Sequence, residues 1–166
     1  MFATPKDTIA YSLRTSKALF HRYLDDLKPQ EFEHRPCQGG NSAAWIVGHL
    51  VRTDRRSLGW LGVTEVPAAP DGFEERFAPT RTAAAGQGGY GDPKELMALF
   101  DAHRDRLIAA VLAADDAKLR EPPSFQSPLF ADKGEATLFM ARHRRSRHSL
   151  PGQKLRAEDR ARPTVQ

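Results

Sequence analysis

Apolar side chains recur every three or four residues in four separate stretches, and this period most constrains what the chain can fold into. The clearest stretch follows Asp92-Pro93, a capping residue and a proline that suit the start of a helix. A spacing of three and four places side chains on one face of an α-helix. No segment alternates apolar and polar residues as a half-buried strand does, so the sequence predicts an all-α protein. The residues that share this face, which we call the stripe of the helix, are Leu96, Phe100, His103, Leu107 and Val111.

We expect four helices, near residues 5–27, 41–61, 92–115 and 133–147. Helices of this length around one core are most simply arranged as an up-down-up-down four-helix bundle. We expect one bundle domain over residues 1–150, followed by a basic, disordered tail over 151–166. The inward stripe of the second helix is Trp45, Ile46, His49, Leu50 and Thr53.

Residues 63–91 form one long connection between the second and third predicted helices. This stretch is rich in alanine, glycine and proline and offers few apolar anchors, so we expect a surface excursion with a short helix at "DGFEERF". Loops of this length are often functional or mobile. The run "GQGGYG" does not follow a strand and lacks the lysine of a phosphate-binding loop, so it predicts a flexible connection.

The charge distribution argues against a nucleic-acid role. The isoelectric point of about 9.5 is high. However, the segment from Arg142 to the end holds eight basic and two acidic residues, which leaves 17 basic and 19 acidic residues in the body. A basic tail is usually a solvated end rather than a binding face. The single Cys37, the absence of a signal-like start and the lack of a long apolar run predict a cytoplasmic protein with no membrane segment.

Two histidines fall on helix faces that the period turns toward the core. His49 lies on the stripe of the second helix and His143 on the apolar side of the fourth. Helical bundles build metal sites from side chains on facing helices, and imidazole suits Zn, Ni, Fe and Cu. A histidine on an apolar face is nevertheless more often a hydrogen-bonded core residue than a ligand. His103, on the third stripe, is best interpreted as such a core residue.

The segments "RPCQGGNSAAWIVGHLVRTDRRSLGWLG" and "SPLFADKGEATLFMARH" resemble the DinB-like (DinB/YfiT) superfamily of helical-bundle metalloenzymes. The most specific string is Gly-Asn-Ser-x-Ala-Trp-x-x-Gly-His, residues 40–49. The resemblance implies a four-helix bundle, commonly a homodimer, with a divalent metal held by three histidines. His49 matches the first ligand and His143 the second. Zn or Ni is the metal we expect, with a small thiol or another small molecule as substrate.

The third ligand of the family pattern departs from expectation in this chain. An H-x3-H pair would place it at position 147, where the sequence has Arg147, while His148 follows His143 by five residues. Five residues correspond to about 500° of helix rotation, so His148 joins His49 and His143 at one metal only if the helix unwinds. Pro151 favours such unwinding. The arginines at 144, 145 and 147 oppose it, so we expect a two-histidine remnant with weak metal affinity.

Two functions remain open from the sequence. The first is a metal-dependent enzyme of the hydrolase or thiol-dependent transferase type. The second is a non-catalytic helical-bundle protein, serving in stress or interaction, whose metal site has decayed. The abrupt arginine-rich composition after residue 143, where the resemblance is expected to end, is typical of a frameshifted or otherwise altered end.

Overall fold

The computed structural model describes residues 4–35, 40–78, 89–124 and 127–141, and within these residues the chain forms seven helices and no strand. The predicted all-α class is therefore confirmed. The helices are α1 (Pro5–Leu24), α2 (Pro29–Glu33), α3 (Ala43–Trp60), α4 (Phe73–Arg76), α5 (Pro93–Ala113), α6 (Asp116–Arg120) and α7 (Lys133–Ala141). α1 and α3 each pack against both α5 and α7, so four helices surround a shared interior, while their up-down-up-down order stays a prediction.

Local capping chemistry fixes where the three longest helices begin. Thr4 and Asp7 form a reciprocal capping box at α1, in which each residue's backbone N–H bonds the other's side chain, with Pro5 in the first turn. The Ser42 hydroxyl accepts from the Trp45 N–H at 3.2 Å at the start of α3, as its position in the sequence predicts. Asp92 caps α5 in the same way through the Lys94 N–H. These side chains satisfy backbone donors that a helix start leaves without partners.

The observed helices correct the sequence-based boundaries in three places. The first predicted helix ends at Leu24 rather than residue 27, because the chain turns there toward α2, which lies in a region predicted as loop. The third predicted helix, which is α5, ends at Ala113 rather than residue 115 and is followed by the additional helix α6. The second predicted helix, which is α3, ends at Trp60. Gly62 after it has a φ of 77°, the left-handed conformation that suits glycine at a helix end. The last predicted helix is described as far as Ala141.

The interior combines apolar clusters with one buried ion pair. Arg104 on α5 and Asp54 on α3 are each 1% exposed, and the Arg104 Nε donates to Asp54 Oδ2 at 2.7 Å. The Arg104 Nη1 also donates to the hydroxyl of Ser16 on α1 at 2.7 Å, so one guanidinium joins three helices. Burial raises the pKa of Asp54, and the charge of Arg104 works against that rise.

None of the seven described helices combines the length with the apolar composition that a membrane span requires.

Candidate functional site

His49 lies on α3 with one ring nitrogen fixed by the backbone. It is half-buried, and its Nδ1 lies 3.0 Å from the carbonyl oxygen of Phe77. Because a carbonyl only accepts, Nδ1 must carry the proton of this bond, which leaves the neutral ring with its lone pair on Nε2. The ring also stacks on Trp45, one turn earlier on α3, with centroids 4.7 Å apart and planes 9° apart. Both contacts limit rotation of the imidazole.

Gly48 allows Phe77 to reach this position. The ring of Phe77 lies directly on α3 at Gly48, and a Cβ added there would overlap three of its carbon atoms. Phe77 is 1% exposed and packs on Phe73 and Tyr90, with centroids 4.5 Å and 5.5 Å away. The adjacent Gly48 and His49 therefore hold the ring and the carbonyl of the same residue.

The excursion that carries Phe77 is more firmly attached than the sequence predicted. Phe73, Phe77 and Tyr90 are buried in the cluster that includes Trp45 and Leu50. The expectation of few apolar anchors over 63–91 was therefore wrong, because these aromatic residues pack on α3 and one another. The short helix expected within "DGFEERF" is confirmed as α4.

Two arginines of α3, Arg52 and Arg55, also contact the connection over residues 63–91. The Arg52 Nε lies 3.2 Å from both the backbone oxygen and the Oε2 of Glu74. The Arg55 Nε donates to Glu74 Oε1 at 3.0 Å, and its Nη1 donates to the Pro67 carbonyl at 2.7 Å. We call Arg52, Arg55 and Glu74 the Glu74 clasp.

His103 is a hydrogen-bonded core histidine, as its position predicted. It is fully buried on α5, and its Nδ1 donates to the Leu99 carbonyl at 2.7 Å. Its Nε2 lies 3.0 Å from the Pro67 carbonyl oxygen, an acceptor, and 3.1 Å from Arg55 Nη1, a donor. Both ring nitrogens thus have protein partners, which is the arrangement of a structural core histidine rather than that of a metal ligand.

Two further histidines are described, one on α1 and one at the end of α2, whereas the single cysteine is not. His34 is exposed at the end of α2. His21 is half-buried on α1, with Nδ1 2.9 Å from Asp25 Oδ1 and Nε2 2.7 Å from Asp101 Oδ1. The hydrogen bond to Asp101 raises the pKa of His21 above its ordinary value. Cys37 lies outside the described residues.

The structure places one of the three predicted metal ligands. His49 is described, whereas His143 and His148 lie outside the described residues, which end at Ala141 of α7. Among the residues that are described, no three His, Cys, Asp or Glu side chains come together as a possible metal site. The shared site of His49, His143 and His148 therefore stays a prediction, and the packing of α3 against α7 agrees with it.

In the described part of the chain, two cavities have linings that do not include His49. One, of about 510 Å³, follows α1 and α5 and is lined by Lys17, His21, Asp105 and apolar neighbours. The other, of about 270 Å³, lies between α1, α6 and α7, with Ile9, Leu119 and Leu138 among its walls.

The contacts between α3 and the excursion were not predicted from the sequence. Phe77, whose carbonyl bonds His49, and Glu74, which bonds two arginines of α3, lie in the short helix expected at "DGFEERF", but no local pattern relates that helix to α3. The available signals were the spacing of two phenylalanines by four residues in "FEERF" and of two arginines by three in "RTDR". Each spacing places both members on one helix face, which is how both pairs act in the structure.

Comparison with known proteins identifies the family. The model of the DinB superfamily matches residues 12–149, most of the chain. The match continues past Arg144, where the resemblance was expected to end, and includes both His143 and His148. No match was found among curated proteins or solved structures.

Proposed function

The chain belongs to the DinB superfamily, and we propose that it is a divalent-metal-dependent enzyme of the thiol-dependent transferase or hydrolase type. The observation that carries this proposal is the hydrogen bond from His49 Nδ1 to the Phe77 carbonyl. Histidines that bind metals almost always donate their other ring N–H to a carbonyl, carboxylate or water, which fixes the tautomer and the ring. His49 has this arrangement.

The donor set suits Zn²⁺ or Ni²⁺, since imidazole nitrogen is a preferred ligand of both. His49 would bind through Nε2, with His143 as a second ligand and His148 as a third if the chain near Ser146 leaves helical geometry. A bound divalent metal lowers the pKa of a thiol or a water, which makes either a nucleophile near neutral pH. The role of this chain's own residues is to orient the His49 ring between Trp45 and the Phe77 carbonyl.

The test is equilibrium dialysis of the purified protein against Zn²⁺ or Ni²⁺, followed by measurement of bound metal. We expect binding by the wild-type protein, loss of binding in His49→Ala, and wild-type binding in His34→Ala, an exposed control histidine. Equal metal content in wild type and His49→Ala would reject the proposal. A thiol-transfer assay with low-molecular-weight bacterial thiols then separates the transferase from the hydrolase type.

Three further variants identify the remaining ligands. We expect His143→Ala to reduce metal binding and His148→Ala to leave it nearly unchanged, because five residues do not converge on one face of a helix. Arg147→Ala should strengthen binding, since it removes a positive charge from the position of the family's third ligand. If His148→Ala abolishes tight binding while Arg147→Ala leaves it intact, the site has three histidines and the two-histidine prediction is wrong.

The alternative is a non-catalytic bundle with a decayed site, favoured by Arg147 at the third ligand position. The two functions differ in their response to metal. An enzyme gains turnover on metal loading, whereas a decayed bundle neither binds tightly nor turns over. A cytoplasmic homodimer belongs to the same proposal and is tested by light scattering of the purified protein.

A further inference from the structure

The Glu74 clasp attaches α4 to α3 at one side chain and one backbone oxygen. Arg52 approaches both the Oε2 and the backbone oxygen of Glu74 at 3.2 Å, and Arg55 donates to Oε1 at 3.0 Å. Both carboxylate oxygens of Glu74 are therefore engaged by arginines three residues apart on one helix. Such charge-assisted bonds restrict the segment more than neutral ones would.

Arg55 extends the clasp to a second point of the same excursion. Its Nη1 donates to the Pro67 carbonyl at 2.7 Å and lies 3.1 Å from the buried Nε2 of His103. Because His103 is fully buried on α5, it fixes the end of the Arg55 side chain. Glu74 is thus held by a guanidinium that is itself held in place.

The clasp lies close in the chain to the carbonyl that orients His49. Glu74 is in α4, and the Phe77 N–H that follows donates to the Phe73 carbonyl at 3.2 Å, so Phe77 continues the turn that Glu74 belongs to. The ring of Phe77 is held by its packing at Gly48. The peptide unit of the Phe77 carbonyl is also held through its Ala78 N–H, which donates to the Glu75 carbonyl at 3.3 Å, and the clasp fixes the turn to which this bond belongs.

We propose that Glu74 is a positioning residue for His49. Held by Arg52 and Arg55, it fixes the Phe77 carbonyl and thereby keeps the His49 proton on Nδ1. Its importance for metal binding rests on the proposed function, whereas its effect on the His49 tautomer does not.

The physical consequence follows from the two forms of neutral imidazole. A histidine without a fixed acceptor at Nδ1 can carry its proton on Nε2 instead, and a protonated Nε2 offers no lone pair to a metal. Mutation of the groups that orient a metal-binding histidine typically weakens metal binding by 10–100-fold. Because Glu74 acts through Phe77, we expect the lower end of that range, about tenfold.

The chain supplies a matched control in the neighbouring residue. Glu75 also lies in α4 and is exposed, and among the described residues it makes no ion pair. Glu74→Ala and Glu75→Ala remove the same charge from the same helix. A difference between them therefore reports the clasp rather than the net charge.

The experiment measures the His49 tautomer by two-bond ¹H–¹⁵N correlation spectra of the imidazole rings in the metal-free protein, with zinc affinity by competition against a chelating dye. We expect the Nδ1–H form in wild type and Glu75→Ala, and a rise in the Nε2–H form in Glu74→Ala. Zinc affinity should fall about tenfold in Glu74→Ala and stay within about twofold of wild type in Glu75→Ala. Glu74→Gln, which keeps one acceptor oxygen, should show the same changes to a smaller extent and serves if the alanine variant does not fold.

The outcomes separate the two proposals. Identical His49 ring spectra in Glu74→Ala and Glu75→Ala would overturn the positioning role, whatever the zinc affinities. Absence of zinc binding in the wild-type protein, with the tautomer change still present in Glu74→Ala, would instead reject the metal-dependent function and leave the positioning role supported.

Discussion

Replacing Gly48 by alanine should destabilise the protein although alanine is the better helix former. The added Cβ would overlap the Phe77 ring, and that ring is 1% exposed and enclosed by Phe73 and Tyr90, so it cannot move aside without disturbing them. Overpacking of this kind costs about 1–3 kcal/mol. If the ring instead leaves its place, the cost approaches the roughly 3–5 kcal/mol of a Phe→Ala change. The higher helix propensity of alanine offsets about 1 kcal/mol of this cost, so we expect a net loss of about 2 kcal/mol in the free energy of unfolding.

Gly59 provides the matched control in the same helix. It is exposed on α3, and a Cβ added there has no atom within 4 Å. Gly59→Ala should therefore leave stability unchanged or raise it by up to about 1 kcal/mol. Urea titration followed by circular dichroism measures the free energy of unfolding of both variants. A thermal melt provides a second measurement, in which each kcal/mol shifts the melting temperature of a chain of this size by about 2–4 °C.

A double-mutant cycle shows whether Phe77 is the cause. In a Phe77→Ala background the obstacle is gone, so Gly48→Ala should become neutral or stabilising. The reasoning is refuted if Gly48→Ala is as stable as Gly59→Ala in the wild-type background, or if its cost is unchanged when Phe77 is absent.

Three other changes test the remaining contacts. Asp54→Ala leaves the buried guanidinium of Arg104 without its counter-charge and should cost about 3–5 kcal/mol in urea unfolding, more than the joint replacement of both residues by apolar ones. The raised pKa of His21 means that its contribution to stability is fully present below its ordinary value of 6.5 and is lost as the pH rises through the folded-state value. Unfolding measured between about pH 5.5 and about pH 8.5 should show this loss, and Asp101→Asn should reduce it. Thr4→Ala removes the capping hydroxyl of α1 and should cost about 0.5–2 kcal/mol by the same assay, and no change would argue against the capping box.

The helices were predictable because their determinants are local. The stripe in residues 96–111 and the caps at Ser42 and Asp92 lie within a few residues of the helices they specify, and α3 and α5 begin where they indicate. Helix ends were less predictable. α1 stops at Leu24 because the following segment packs α2 against α3, a tertiary contact that no local pattern contains.

The buried ion pair shows a second limit of local patterns. Asp54 and Arg104 each follow a residue on an inward stripe, Thr53 and His103, and a pattern restricted to apolar residues leaves both charges out. A charged side chain is buried only when a partner offsets its desolvation. That partner lies on another helix, 50 residues away, so the sequence shows two charges beside two stripes but not that they meet.

The Gly48-His49 pair shows why the candidate site was only half predictable. The resemblance predicted His49 as a ligand but gave Gly48 no physical role. In the structure, Gly48 admits the Phe77 ring while His49 donates to the Phe77 carbonyl, 28 residues further along the chain. The lower helix propensity of glycine, about 1 kcal/mol, is offset by burial of an aromatic ring, which is worth about 1.5–3 kcal/mol. Because the same residue supplies both the ring and the carbonyl, stability and the orientation of His49 depend on one contact. A substitution at Gly48 should therefore lower the metal affinity that we propose for His49 whenever it lowers the stability of the fold through Phe77.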